Sequence, residues 1–197
     1  MWTNYLSFFM LYLGTLFNIL IWYSSSNVSV RMIALVWQFI IYMQFMDTFS
    51  HMTISYRSYV TYGTFTFNVL QPIVVALLFA FISTSDIVRY TLFALAGTYL
   101  VSLLYQYNAI HLNEPNPSTD LYWWKDVGQM SLPLYMLIFT VALLTMKPLW
   151  MGVCQLAYMF TALSLSYFSV HEEVLAWFIA CGPIFTYLVL AYKPIPN

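Results

Sequence analysis

Apolar stretches of about 20 residues, separated by short polar breaks, recur along the whole of this 197-residue chain. A helix of about 20 apolar residues is long enough to cross the roughly 30 Å hydrocarbon core of a bilayer. The pattern therefore predicts an all-α fold, a polytopic membrane protein whose seven transmembrane helices form one bundle and one domain over residues 1–197. The predicted helices cover about residues 4–23, 28–49, 60–82, 87–107, 127–146, 149–168 and 174–192. Residues 108–125, which contain Pro115 and Pro117, form the long predicted loop.

Composition supports a membrane location and excludes other classes of protein. Hydrophobic residues make up 62% of the chain and charged residues only 7%, whereas soluble domains carry about 25% charged residues. The expected partner is therefore the lipid bilayer. The formal net charge is −1, and because nucleic-acid binding needs a basic surface, we expect no nucleic-acid partner.

The distribution of charge predicts an orientation. One end of the predicted bundle would receive the cations Arg31, Arg89, Lys147 and Lys193 against the single carboxylate Asp86. The other end would receive Arg57 and Lys125 against Glu114, Asp120, Asp126, Glu172 and Glu173. The positive-inside rule then places the C-terminus in the cytosol and the N-terminus outside it or in a lumen.

Polar side chains interrupt the second predicted helix. Gln44, Asp47, Thr48 and His51 share one helical face because they are spaced by three, four and seven positions. A carboxylate inside a membrane-spanning segment costs a few kcal/mol unless something solvates it. That face is therefore predicted to look at protein or trapped water rather than at lipid.

The third predicted helix offers partners for these side chains. Gln44 and Asn68 would lie roughly 10–12 Å below the non-cytosolic surface on antiparallel neighbours. Gln71 would lie deeper, and Pro72 frees a backbone carbonyl one turn earlier. The predicted polar cluster comprises Gln38, Gln44, Asp47, His51, Asn68 and Gln71. It can be an interhelical hydrogen-bonded clasp, or a water-filled vestibule in which Asp47 and His51 bind a cation or carry protons.

Catalytic and metal-binding patterns are weak in this sequence. The histidines His51, His111 and His171 all fall toward the non-cytosolic end, but no His-x₃-His pair fixes a ligand geometry. We see no Ser-His-Asp order, Gly-rich phosphate loop or CxxC pair. Cys154 and Cys181 would lie at different depths, so we expect no disulfide. We expect no enzyme activity, no cofactor and no metal; an intramembrane metal hydrolase is a remote alternative.

Several short motifs occur in a familiar order. They are Trp37-Gln38-x₅-Gln44-x₂-Asp47, Phe67-Asn68-Val69-Leu70-Gln71-Pro72-Ile73, Trp123-Trp124-Lys125, Lys147-Pro148-Leu149 and Gly182-Pro183-Ile184-Phe185. Together they resemble an uncharacterised family of seven-helix, multi-pass membrane proteins encoded by large nucleocytoplasmic DNA viruses, such as giant viruses and chloroviruses. The chain departs from that family at Asp47, where Glu is expected, and near His51, where an aromatic residue is expected. The resemblance implies a viral origin and a fold more than a mechanism. It also implies the expected location, a viral internal membrane or a host endomembrane.

Three functional hypotheses follow. The first is a structural component of a viral internal membrane or virion that contacts capsid proteins or other membrane subunits. The second is a small transporter, channel or receptor-like protein that uses a polar vestibule around Asp47. The third, much weaker, is the metal hydrolase. Removing Asp47 separates the first two, because it would impair folding or assembly in one case and a flux or ligand response in the other.

Overall fold

Seven α-helices account for all the regular structure in the residues that the structure, a computed structural model, describes: 2–52, 57–109, 122–167 and 172–195. The predicted all-α fold is therefore confirmed. The helices are α1 (Trp2–Ser24), α2 (Val28–Met52), α3 (Arg57–Ile82), α4 (Asp86–Ala109), α5 (Tyr122–Leu144), α6 (Leu149–Tyr167) and α7 (Glu172–Tyr192).

Some helix ends differ from the predicted ones. Helix α5 begins at Tyr122 instead of about residue 127, and α4 continues to Ala109, so both helices take in residues assigned to the long loop. Hydropathy shows where an apolar segment ends, whereas backbone hydrogen bonds continue into the polar residues beyond it. At its other end, α5 stops at Leu144 because Met146 N bonds to Leu143 O and Pro148 cannot continue a helix.

Each helix packs against the next along the chain, and α1 packs against α7, so that the seven helices form a closed ring. Further contacts between α2 and α7 and between α3 and α5 cross this ring. Most of the buried side chains among the described residues are apolar; the buried polar ones are Ser7, Asn18, Gln44, Thr48, Gln71, Gln155 and Thr186. The largest fully buried side chains are Trp37, Tyr99, Phe79, Phe139, Leu11, Ile21, Ile33, Leu92, Ile138, Leu143, Met151 and Gln71.

Helices α1 and α7 run parallel and approach each other closely. A Cβ atom on Gly14 would lie 2.8 Å from the carbonyl oxygen of Ala180, so only glycine fits at this crossing. One turn toward the start of α7, Trp177 Nε1 donates a hydrogen bond of 3.0 Å to Ser7 Oγ on α1. The first and last helices are thus joined by close packing and by a side-chain hydrogen bond.

The exterior of the ring carries many large apolar side chains. On α1, Tyr12 is 62% exposed and Phe9 is 59% exposed, and on α4, Val101 and Tyr105 are 67% and 75% exposed. By length and composition, two described stretches can cross a membrane, Tyr5–Ser24 and Asp86–Tyr105. Shorter apolar helical stretches are Val28–Tyr42, Leu70–Ile82, Pro133–Leu144, Leu149–Ala162 and Ala176–Tyr192.

Candidate functional site

A buried hydrogen-bonded network joins α2, α6 and α7. Trp37 Nε1 donates to Gln155 Oε1 at 2.8 Å, and Gln155 Nε2 donates to Thr186 Oγ1 at 3.0 Å. The Thr186 hydroxyl in turn donates to the carbonyl oxygen of Gly182, one turn earlier in α7, at 2.8 Å. Trp37 is 1% exposed, and Gln155 and Thr186 are fully buried. We call Trp37, Gln155 and Thr186 the Trp37 network; each of its polar side chains is hydrogen-bonded.

Gly182 makes room for the indole ring of this network. A Cβ atom at this position would lie 2.5–2.7 Å from three ring carbons of Trp37. On another side of the indole, Tyr158 of α6 packs edge to face, with 5.5 Å between the ring centroids. The position of Trp37 is therefore fixed by a glycine, an aromatic ring and a hydrogen bond.

Tyr158 also fixes α6 against α7. Its ring stacks on Phe178 and Phe185, with centroid distances of 4.4 and 5.1 Å. Its hydroxyl donates a hydrogen bond of 2.7 Å to the carbonyl oxygen of Phe178. The aromatic ring of Tyr158 thus packs against apolar side chains while its hydroxyl is hydrogen-bonded, the arrangement expected of a tyrosine inside a protein.

A second polar contact joins α1 and α2. Asn18 Nδ2 donates to Gln38 Oε1 at 3.1 Å, and Gln38 Nε2 donates to Thr15 Oγ1 at 3.4 Å. Asn18 is 4% exposed, and among the described residues its Oδ1 atom has no hydrogen-bond donor. We call these three residues the α1–α2 contact. Gln38, one of the six residues of the predicted cluster, therefore bonds to α1.

A groove of about 190 Å³ lies on the outer side of the α1–α2 contact. It is lined by Leu11, Tyr12, Thr15, Gln38, Ile41, Tyr42 and Phe45. Most of this lining is apolar, so the groove offers little that would recognise a polar ligand. Unlike the Trp37 network, this polar contact is open on one side.

Only part of the remaining predicted cluster can be located. Gln44 and Gln71 are 5% and 2% exposed, and Thr48 donates to the backbone carbonyl of Gln44 at 2.9 Å. Within the described part of the chain, the Nε2 atom of Gln71 has no acceptor. The side chains of Asp47, His51 and Asn68 lie outside the described residues. Whether the six residues form one cluster thus stays a prediction.

Two residues that complete the Trp37 network were not predicted from the sequence. Gln155 and Thr186 are isolated polar residues within the apolar stretches of α6 and α7. A polar side chain inside such a stretch needs an internal partner, and this rule would have marked both positions. It would not have paired them with Trp37, which is 118 positions from Gln155 along the chain.

Metal-ligating side chains do not gather in the described residues, where no group of three His, Cys, Asp or Glu residues is close enough to share an ion. His111 and His171 lie outside these residues, as does the His51 side chain. Cys154 and Cys181 are free and half-buried. No family model, curated protein or solved structure matches the chain, so the resemblance to the viral membrane family stays a hypothesis.

Proposed function

We propose that this chain is a seven-pass integral membrane protein with its C-terminus in the cytosol and its N-terminus on the other side. The helices contain 19–26 residues, which correspond to roughly 28–39 Å at 1.5 Å per residue and match the thickness of a bilayer core. The exposed apolar side chains on the outside of the ring support the same proposal, because soluble monomers rarely expose large contiguous apolar surfaces.

Within that membrane, the proposed role is structural: a component of a viral internal membrane or virion that contacts capsid proteins or other membrane subunits. The observation that carries the structural role is the Trp37 network, whose polar side chains bond to one another across three helices. Such hydrogen bonds stabilise helix association in membranes by about 0.6–2 kcal/mol each. A solute pathway instead needs polar groups that face water.

The viral assignment rests on the resemblance, and the network gives two of the quoted motifs a shared physical role. Trp37 belongs to one motif and Gly182 to another, and the indole of the first packs on the backbone of the second. Motif residues that contact each other in a sealed interior are expected of a scaffold.

The test combines fractionation with mass spectrometry. We expect the full chain to stay in membranes after alkaline carbonate extraction, and to be found in the lipid layer of purified virions in a fixed ratio to capsid protein. Release by carbonate would contradict the membrane assignment. Retention in host membranes, with none in virions, would contradict the viral structural role alone.

A second candidate function is a transporter, channel or receptor-like protein with a vestibule around Asp47. The observation in its favour is Gln71, a fully buried amide whose Nε2 atom has no acceptor among the described residues. A buried donor of this kind needs an acceptor, and water or a bound ligand can supply one. The Asp47→Asn variant tests it in proteoliposomes: normal accumulation with loss of proton or cation flux supports the vestibule, whereas loss of folded protein supports the structural role.

A further inference from the structure

Four cations lie at the end of the bundle that holds the α1–α2, α3–α4 and α5–α6 turns: Arg31, Arg89, Lys147 and Lys193. The two arginines are used within the protein. Arg31 Nε donates to Ser25 O at 2.7 Å, with its guanidinium 5.4 Å from the Trp22 ring centroid. Arg89 pairs with Asp86 at 2.8 Å and also donates to Ser83 O. Both guanidinium groups therefore serve to close turns.

The two lysines differ from the arginines. Both are exposed, and no described residue accepts a hydrogen bond from Lys147 or Lys193. Lys193 Nζ lies 4.8 Å above the ring centroid of Trp150, in the first turn of α6. Lys147 precedes Trp150 by three positions, so their Cα atoms are at most about 11 Å apart. The ammonium group of Lys193 thus lies above the indole ring, and the exposed Lys147 stands three positions before that ring in the chain.

Next to this pair, α6 presents apolar side chains to the outside. Leu149 and Val153, one helical turn apart, are 55% and 47% exposed, and Leu144 at the end of α5 is 43% exposed. The short segment after α7 is held in place because Ile195 packs on the core. A cationic group with an aromatic ring therefore adjoins an apolar surface that leads away from it along the helix.

We propose that Lys147, Trp150 and Lys193 form a binding site for the phosphate of an anionic phospholipid, whose acyl chain lies along Leu149 and Val153. The inference rests on the proposed function, because it requires this end of the bundle to face a leaflet. Charge complementarity selects the occupant. Two ammonium groups, neither of which forms an ion pair with a described carboxylate, attract a headgroup of net negative charge, whereas the choline of a zwitterionic lipid adds a cation that they repel. The indole occupies the interfacial depth that tryptophan prefers.

The experiment measures lipid binding to the purified full chain in neutral detergent by native mass spectrometry. Phosphatidylglycerol and phosphatidylcholine with identical acyl chains are the two probes. Each lysine near an anionic headgroup is expected to raise the binding of phosphatidylglycerol over phosphatidylcholine about five-fold. In the double variant K147Q/K193Q, this binding ratio should therefore fall by a factor on the order of 20 to 30. Lys147→Arg with Lys193→Arg should retain it.

The matched control is Arg89→Gln, which removes a cation at the same end whose side chain is already bound to Asp86 and Ser83. Its lipid preference should equal that of the wild type. An equal loss of lipid preference in this control would overturn the proposed site, because the net charge of the protein would then explain the preference. A wild type without preference between the two lipids would overturn it as well.

A further measurement separates the lipid from free phosphate. Glycerol 3-phosphate carries the charged group without acyl chains and should compete only weakly with phosphatidylglycerol. Competition as strong as that of the intact lipid would overturn the lipid assignment. Carbonate extraction of the same samples separates the two proposals: resistant protein without lipid preference contradicts only the site, whereas extracted protein contradicts both.

Discussion

The Trp37 network and the α1–α2 contact use similar side chains in different surroundings. The network is fully enclosed, its hydrogen bonds are 2.8–3.2 Å long, and its indole packs directly against Gly182. The α1–α2 contact has a bond of 3.4 Å, a buried Asn18 Oδ1 without a described donor, and a groove on its outer side. Polar residue type alone therefore does not determine how strongly a helix pair is held; complete pairing and close packing do.

The largest expected effect concerns the packing around the network. Gly182→Ala would place a methyl group 2.5–2.7 Å from the Trp37 ring, so the indole must shift from the position in which it bonds to Gln155. Overpacking of this kind costs about 1–3 kcal/mol, which corresponds to a fall in melting temperature of about 2–12 °C for a chain of this size. Thermal unfolding in detergent, followed by tryptophan fluorescence, measures it.

Gly97→Ala is the matched control for that substitution. No atom lies within 4 Å of a Cβ at this exposed helical position, so the melting temperature should stay constant or rise slightly. Equal destabilisation in the two variants would show that the glycine beside Trp37 has no special role.

The next largest effect concerns the hydrogen bonds of the network. Gln155→Leu leaves Trp37 Nε1 without its acceptor and Thr186 without one of its partners, in a site with no exposure. The expected loss is about 1–2 kcal/mol. In a double-mutant cycle with Trp37→Phe, the two losses should not add, because both substitutions remove the same bond. Additive losses would mean that the two side chains contribute independently.

The smallest change in the free energy of unfolding is expected for a substitution in the α1–α2 contact, and this change can be a stabilisation. Asn18→Leu removes an atom that is already buried without a described donor, and Gln38, which is half-buried, keeps Thr15 as a partner. We expect the free energy of unfolding to change by less than about 0.5 kcal/mol or to rise slightly, measured under the same conditions as for Gln155→Leu. A loss as large as that of Gln155→Leu would remove the contrast between the two regions.

Sequence reasoning predicted the helices better than their polar contacts. Hydropathy located all seven helices because apolar segment length is a local property, although it began α5 at about residue 127 instead of Tyr122. Gln38 was grouped with Gln44, yet six positions correspond to about 240° of rotation, and Gln38 bonds to α1. Gln155 gave no periodic signal, and its partner is remote in the chain. The pairing of Gln155 with Trp37 depends on how the seven helices are arranged in the ring, and the sequence of a single helix does not determine that arrangement.

The ring closure between α1 and α7 has a consequence for the order of synthesis. Trp37 leaves the ribosome 118 residues before Gln155, and Thr186 follows 31 residues after that. The Trp37 indole therefore meets its partners on α6 and α7 only after three intervening helices have been made, and Gly14 of α1 is covered only when α7 is made. Because α7 is made after the six helices that precede it, a chain arrested before Glu172 carries α1 and α2 with their contacts to α7 unmade.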